Sequence, residues 1–176
     1  MKNQTGQSRA LGEADRGLVM GKRESFDKIF IAVVAFAFVS LFLPCFEQLT
    51  VQNGVTKSTT LTILDAQTYL APVILLILVP VTIVIGKVIA PSVIGIIEAI
   101  MNAVIIWSYV DSAQYKMKLL EDPDKAFAAL MRYQGVTAVS YRYPVGFYIA
   151  AASIALLFIV SVIGFFIPKD SDKVLL

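Results

Sequence analysis

Four apolar segments alternate with polar segments along the chain. Each apolar segment is 18 to 24 residues long, and the four cover residues 29–46, 67–86, 91–110 and 144–167. About twenty helical residues rise roughly 30 Å, which is the thickness of the hydrocarbon core of a bilayer. The pattern therefore predicts an all-α membrane protein built as a four-transmembrane-helix bundle.

Polar tails at residues 1–28 and 169–176 flank the predicted domain of residues 29–168, and two longer polar loops, 47–66 and 111–143, interrupt it. In the first loop, Asn53-Gly54 separates two runs rich in threonine and valine. Asn and Gly tolerate the positive φ of a type I′ turn, so we predict a small extracytoplasmic β-hairpin with strands at 48–52 and 55–62. A disordered polar loop is the alternative.

The second loop is expected to hold a short helix and a strand. Asp122-Pro123-Asp124 is typical of a helix start, with Asp122 as the cap, and Gly135 is typical of a helix end. Phe127, Leu130 and Met131 are expected to pack against an apolar surface. Residues 136–143 favour a third strand that pairs with the hairpin. In the first loop, Asp65 is expected to cap the helix that follows.

The composition agrees with a membrane protein. Hydrophobic residues make up 57% of the 176 residues and charged residues only 16%, against about 25% charged in a typical soluble domain. The net charge of +2 gives no reason to expect nucleic acid as a partner. The chain has no histidine and one cysteine, Cys45, and it lacks GxSxG, P-loop and HExxH motifs. We therefore expect no enzyme activity, no cofactor and no metal.

The basic residues suggest an orientation. With four spans both termini lie on one side, and that side would carry nine lysines and arginines against six on the other. The positive-inside rule then favours cytoplasmic termini.

The third span holds two polar residues, Glu98 and Asn102, on one helix face with Gly95 and Tyr109. A carboxylate at such a depth costs about 2.5–3.5 kcal/mol on insertion scales, so a polar partner or a function is expected. No arginine or lysine lies within the four predicted spans. The candidate polar partners are Asn102, Ser40, Thr82, Ser153 and Ser161.

Two interpretations of Glu98 remain open. As a functional group it would exchange a proton or contact a cation in an oligomeric transporter or channel. As a structural group it would be neutral and would donate a hydrogen bond to Asn102, to a neighbouring helix or to another subunit. We predict the structural role, and the transport role is the alternative.

The last span offers small residues at helical spacing. Gly146, Ala150 and Ser153, like Gly95 on the third span, would allow close approach of another helix. Together with the small size of the chain, they favour a non-catalytic accessory or structural subunit of a larger membrane complex. The expected partners are the lipid bilayer and other membrane subunits or further copies of the chain.

The layout of four spans with a β-like first outer loop is similar to that of claudins. Residues 47–67 contain neither tryptophan nor cysteine, whereas that loop of claudins carries a signature of both. The resemblance is therefore one of layout, and it implies no residue roles.

Overall fold

A computed structural model describes residues 23–66, 71–87, 89–122 and 124–167 of the chain. The fold is mostly helical and includes one small three-stranded sheet. We number the helices and strands in chain order. They are α1 (residues 23–40), β1 (Pro44–Gln52), β2 (Val55–Thr62), α2 (Ile63–Ala66), α3 (Ala71–Val84), α4 (Ala90–Glu121), α5 (Ala126–Tyr133), β3 (Val136–Arg142) and α6 (Val145–Phe166).

The predicted β-hairpin is confirmed, and so is the third strand. The sheet order is β2-β1-β3, and both pairs of neighbouring strands are antiparallel. Asn53 and Gly54 have φ values of 52° and 76°, which fits the predicted two-residue turn. The Asn53 amide donates to the carbonyl of Gly135 at 2.8 Å, and this bond ties the hairpin tip to the start of β3.

The first apolar helix lies earlier in the chain than predicted. The predicted span was 29–46, but α1 already includes residues 23–28 and ends at residue 40. At its start, Arg23 pairs with Asp27 at 3.2 Å and Lys28 with Glu24 at 2.8 Å, and such i,i+4 pairs support a helix. Pro44 disfavours helix in the residue before it, and β1 begins at Pro44, which pairs with Thr62.

The helix that contains the third predicted span is longer than predicted. The prediction ended it at residue 110, whereas α4 runs on to Glu121. Residues 111–121 are polar but contain no glycine or proline, so they leave the apolar pattern without interrupting the helix. The fourth predicted span, 144–167, agrees with α6 to within one residue at each end. For the second, 67–86, the structure gives α3, and residues 67–70 lie outside the described part of the chain.

Two predicted caps have different roles. Asp122 does not cap α5, because α5 begins after Lys125 without a side-chain cap. Asp122 instead ends α4, and its carboxylate accepts from the Asp124 amide at 3.2 Å. Asp65 lies inside α2, where it accepts from the Thr62 amide at 2.9 Å and Thr62 Oγ1 accepts from the Asp65 amide at 3.1 Å. This reciprocal pair is a capping box at the start of α2.

The expected apolar face of α5 is only partly buried. Ala128 is the fully enclosed residue of this helix, and Leu130 is exposed. Phe127 and Met131 are half-buried. The buried face therefore centres on Ala128, which lets α5 approach α4 and β3 closely.

The core lies where α1, α4 and α6 meet, with α3 packed against α4. On α1 the buried side chains recur at helical spacing, as in Phe30, Val34 and Ala37. By length and composition, α4 and α6 are long and apolar enough to cross a membrane, and the apolar part of α3 is shorter. These helices enclose Glu98 and Asn102, the two buried polar residues at the centre of α4's polar face.

Candidate functional site

The candidate site is the polar stripe on α4, and Glu98 and Asn102 form its centre. Both side chains are buried, Glu98 completely. Asn102 Nδ2 donates to Glu98 Oε1 at 2.5 Å and to the Glu98 carbonyl at 3.2 Å. The predicted pairing between neighbouring turns is therefore present, but Asn102 is the donor, whereas the prediction made Glu98 the donor. It orients the carboxyl group along the helix.

The second carboxylate oxygen, Glu98 Oε2, is buried and has no hydrogen-bond partner among the described residues. Several residues predicted as possible partners bond elsewhere. Ser40 and Ser153 bond to each other, and Thr82 Oγ1 donates to the carbonyl of Val79 at 2.8 Å. An ionised carboxylate enclosed without a cation costs several kcal/mol. A protonated carboxyl group can still accept the Asn102 bond through Oε1.

One turn from Glu98, Gly95 lies in close contact with both α1 and α6. A Cβ added at Gly95 would overlap the hydroxyl oxygen of Ser161 on α6 and would lie 3.2 Å from the ring of Phe30 on α1. Close packing therefore requires glycine at this position, in agreement with its predicted role as a helix-packing residue. Ser161 Oγ is buried there without a hydrogen-bond partner among the described residues.

The close contact continues one turn further along both helices, where sequence analysis identified no site residue. A Cβ at Gly164 would overlap the hydroxyl oxygen of Ser92, and it would lie 3.4 Å from the ring of Phe26. Gly164 and Ser161 continue the small-residue spacing that begins at Gly146. The signal was therefore present in the sequence, but it reached further along α6 than predicted.

The three predicted packing residues of α6 are all buried, and their neighbours differ. A Cβ at Gly146 would overlap the backbone carbonyl of Pro44, so this glycine faces β1 rather than a helix. Ser153 faces α1, where its hydroxyl lies 2.8 Å from that of Ser40. Ala150 is fully enclosed beside them.

At the end of the stripe nearest the sheet, Tyr109 contacts an aromatic cluster. Its ring centroid lies 3.9 Å from that of Phe46, and Phe46 lies 5.8 Å from Phe147. Tyr143 lies 4.8 Å from Phe147 and completes the cluster. Phe46 is almost fully buried, so these rings connect β1 to the adjoining ends of the helices.

A separate open groove of about 540 Å³ lies between α4 and α6 on their outer faces. Alanines form much of its lining, and larger apolar side chains complete it. The lining residues are Ala99, Ile100, Ala103, Ile106, Trp107, Val110, Phe147, Ala151, Ile154, Ala155 and Phe158. Glu98 and Asn102 do not line it. The polar stripe and the groove are therefore two different surfaces of α4.

Within the described ranges, no three Cys, Asp or Glu side chains are grouped so that they could hold a metal ion. No family model, curated protein or solved structure matches this chain. The functional proposal therefore depends on the geometry of the chain itself.

Proposed function

We propose that the chain is a multi-pass integral membrane protein that serves as a non-catalytic accessory or structural subunit of a larger membrane complex. In this proposal α1, α3, α4 and α6 cross the bilayer as a four-helix bundle. The distribution of large and small side chains on these helices carries the proposal.

Large apolar side chains cover the outside of all four helices. Phe36 on α1, Ile77 on α3, Ile100 on α4 and Ile159 on α6 are each 43–52% exposed. Soluble monomers rarely expose contiguous apolar surface beyond a few hundred Å². A lipid environment removes the cost of exposing such side chains, because hydrocarbon tails are as apolar as they are.

The inner positions have the opposite character. Ser92, Gly95, Ala150 and Ser153 are all buried where α4 and α6 face the bundle. Helices in membranes associate through close packing of small residues and through hydrogen bonds between helices. Small or polar residues inside and large apolar residues outside therefore fit a bundle surrounded by lipid.

The lengths of two helices fit directly, and those of the other two need an adjustment. The 22 residues of α6 rise about 33 Å, enough to cross the hydrocarbon core, whereas the 14 residues of α3 rise about 21 Å and the apolar residues 29–40 of α1 rise about 18 Å. Local thinning of the bilayer accommodates a short span. In the proposed orientation the termini are cytoplasmic, and the sheet and α5 lie on the opposite side.

The role as a subunit is supported by the groove between α4 and α6 and by the enclosure of Glu98. The groove presents Ala103 and Ala151 to the bilayer, and alanine allows a partner helix to approach closely. Glu98 is fully enclosed and hydrogen-bonded within its own helix. This fits a role in holding the bundle together more closely than a role in an open transport path.

Purification of the full chain from its native membranes in mild detergent tests this role. We expect a stoichiometric partner chain, and we expect Ala151→Phe, which fills the groove, to release it. Ile159→Phe is the matched control, since Ile159 is exposed on the same helix outside the groove, and it should retain the partner. A solitary monomer, or equal binding by both variants, would rule out the subunit role through this groove.

A second candidate function is an oligomeric transporter or channel in which Glu98 titrates or contacts an ion. The observation that favours it is the pair of buried oxygens without described partners, Glu98 Oε2 and Ser161 Oγ. Proton and cation flux into liposomes that contain the purified chain tests this candidate. Glu98→Gln keeps the shape and removes the titration, so it should abolish any flux that depends on Glu98. If the parent chain shows no flux, or if the variant retains it, Glu98 has no transport role.

A further inference from the structure

Among the described residues, no strand pairs with the outer side of β2, which is therefore an edge of the sheet. It lies outermost in the order β2-β1-β3, and its first six residues, from Val55 to Thr60, are exposed. The opposite edge strand, β3, contacts α4 and α5. The two edges of the sheet therefore differ, and β2 is the accessible one.

The register shows which backbone groups of β2 point away from β1. Gln52 and Val55 flank the two-residue turn and face each other, so they form a hydrogen-bonded pair. Hydrogen-bonded and non-hydrogen-bonded pairs alternate along an antiparallel ladder. Thr56, Ser58 and Thr60 therefore direct their N–H and C=O groups away from β1, towards the free side of the sheet.

This edge lacks the features that usually block pairing with another strand. Edge strands are commonly protected by proline, by bulges or by several charges. From Val55 to Leu61 the register with β1 is regular, and the strand contains no proline. Its one charged residue, Lys57, donates through Nζ to Gln52 Oε1 at 2.9 Å, which is within its own hairpin.

We propose that β2 pairs antiparallel with β2 of a second copy of this chain, with the two-fold axis at Ser58. The residues that face outward are symmetric about Ser58, so a hydroxyl residue would oppose a hydroxyl residue at each hydrogen-bonded pair. Thr56 would face Thr60 of the second copy, and Ser58 would face Ser58. Such Thr and Ser pairs stabilise neighbouring strands.

The charges are compatible with this register. Lys57 would lie opposite Thr59 of the second copy, so no like charges face each other across the pair. The three strands of each copy would join into one continuous sheet with no free β2 edge. The inference depends on the sheet alone and not on the proposed membrane role, so either can fail without the other.

Disulfide formation by the full chain in detergent micelles, where two copies can meet in any orientation, tests the register. Opposed residues of a hydrogen-bonded pair have Cα atoms about 5.5 Å apart, within the range that a disulfide can bridge. Ser58→Cys should therefore yield a cross-linked dimer under mild oxidation. Thr59→Cys is the matched control, because two copies of residue 59 would be offset along the strands and more than about 7 Å apart. The parent chain, whose Cys45 is buried, provides the blank.

A second pair of variants tests the backbone contact itself. Ser58→Pro removes an N–H that points away from β1, so the hairpin should persist while pairing with a second copy is blocked. Both Ser58→Pro and Ser58→Ala remove the hydroxyl group that donates to Glu47 Oε1 at 2.7 Å. Only Ser58→Ala keeps the backbone N–H, so it is the matched control. In sedimentation equilibrium, dimerisation should weaken at least about tenfold in Ser58→Pro, as loss of two or more hydrogen bonds predicts, and little in Ser58→Ala.

The cross-linking pattern and the sedimentation data decide the question together. Efficient linking of Ser58→Cys alone, with weakened dimerisation of the proline variant, supports the proposed pairing. Equal linking at residues 58 and 59, no linking at residue 58, or dimerisation unaffected by proline would overturn it. A strand of another protein seated on β2 would also overturn it, and would appear as a different chain linked to residue 58.

Discussion

Ser40 on α1 and Ser153 on α6 share a buried contact of 2.8 Å between their hydroxyl oxygens. Each oxygen also lies within hydrogen-bonding distance of a carbonyl in its own helix, Ala37 for Ser40 at 2.7 Å and Ala150 for Ser153 at 2.8 Å. A hydroxyl group has one proton to donate. Two protons therefore serve three contacts, and only two of the three bonds exist at any moment.

Because of this arrangement, removal of either hydroxyl group should lower the free energy of unfolding only slightly. After Ser40→Ala, the Ser153 hydroxyl can still donate to the Ala150 carbonyl, so no buried donor is left unpaired. We expect a loss of about 0.6 kcal/mol in the free energy of unfolding, the average for such bonds between membrane helices. Reversible unfolding in mixed micelles measures it, with Ser153→Ala and the double variant completing the cycle. A loss several times larger would show that the contact is a stronger link between the helices.

Substitutions at Gly95 and Ser161 should affect the free energy of unfolding differently, because only the first adds atoms to their contact. Gly95→Ala should lower the free energy of unfolding by about 1–3 kcal/mol, because its Cβ meets the Ser161 hydroxyl in a closely packed site. Ser161→Ala removes a buried hydroxyl without a described partner, so it should be neutral or stabilising. The double variant should recover part of the loss, and additive losses would contradict the predicted contact.

The two glycines at the hairpin tip should differ in their tolerance to alanine. Both have positive φ, 76° at Gly54 and 76° at Gly135, and an L-residue there costs roughly 1–2 kcal/mol. A Cβ at Gly54 would meet open space, whereas at Gly135 it would overlap the side chain of Asn53. Gly135→Ala should therefore destabilise the sheet more than Gly54→Ala, as measured by hydrogen exchange of β1 and β3 amides. Equal protection in the two variants would disprove the contact with Asn53.

The stability of the fold should depend on pH through Asp65, which lies outside the apolar helices. The hydrogen bond from the Thr62 amide, followed by that from the Thr62 hydroxyl, lowers the pKa of the Asp65 carboxyl group below 3.8. Since the folded pKa is the lower one, the bonds stabilise the fold above pH 3.8, and this contribution is lost as the pH falls through the folded pKa. Thr62→Val keeps the amide and removes the hydroxyl, so it should raise the pKa part of the way to 3.8 in a carboxyl NMR titration. An unchanged pKa would show that the hydroxyl group has no part in the shift.

Features that depend on local chemistry could be predicted from the sequence. The Asn53-Gly54 turn set the hairpin register, and β2 has the predicted bounds of 55–62. The bond between Glu98 and Asn102 follows from i,i+4 spacing on one helix. The bounds of α6 follow from an apolar run between Pro144 and Pro168.

Features that depend on distant parts of the chain could not be predicted. The end of α1 depends on the pairing of Pro44 with Thr62, which hydropathy does not record. The predicted length of α4 was too short because the prediction took the end of the apolar pattern as the end of the helix. The contact between Ser40 and Ser153 joins residues 113 positions apart, so spacing along one helix gives no sign of it.

The length of α4 has a mechanical consequence. Its 32 residues form one helix about 48 Å long, and it contacts α3, α5, α6 and β3. The central strand of the same sheet, β1, contacts α6. A tilt of α4 relative to α6 would therefore pull β3 and β1 in different directions, so the hydrogen bonds of the sheet oppose such a tilt.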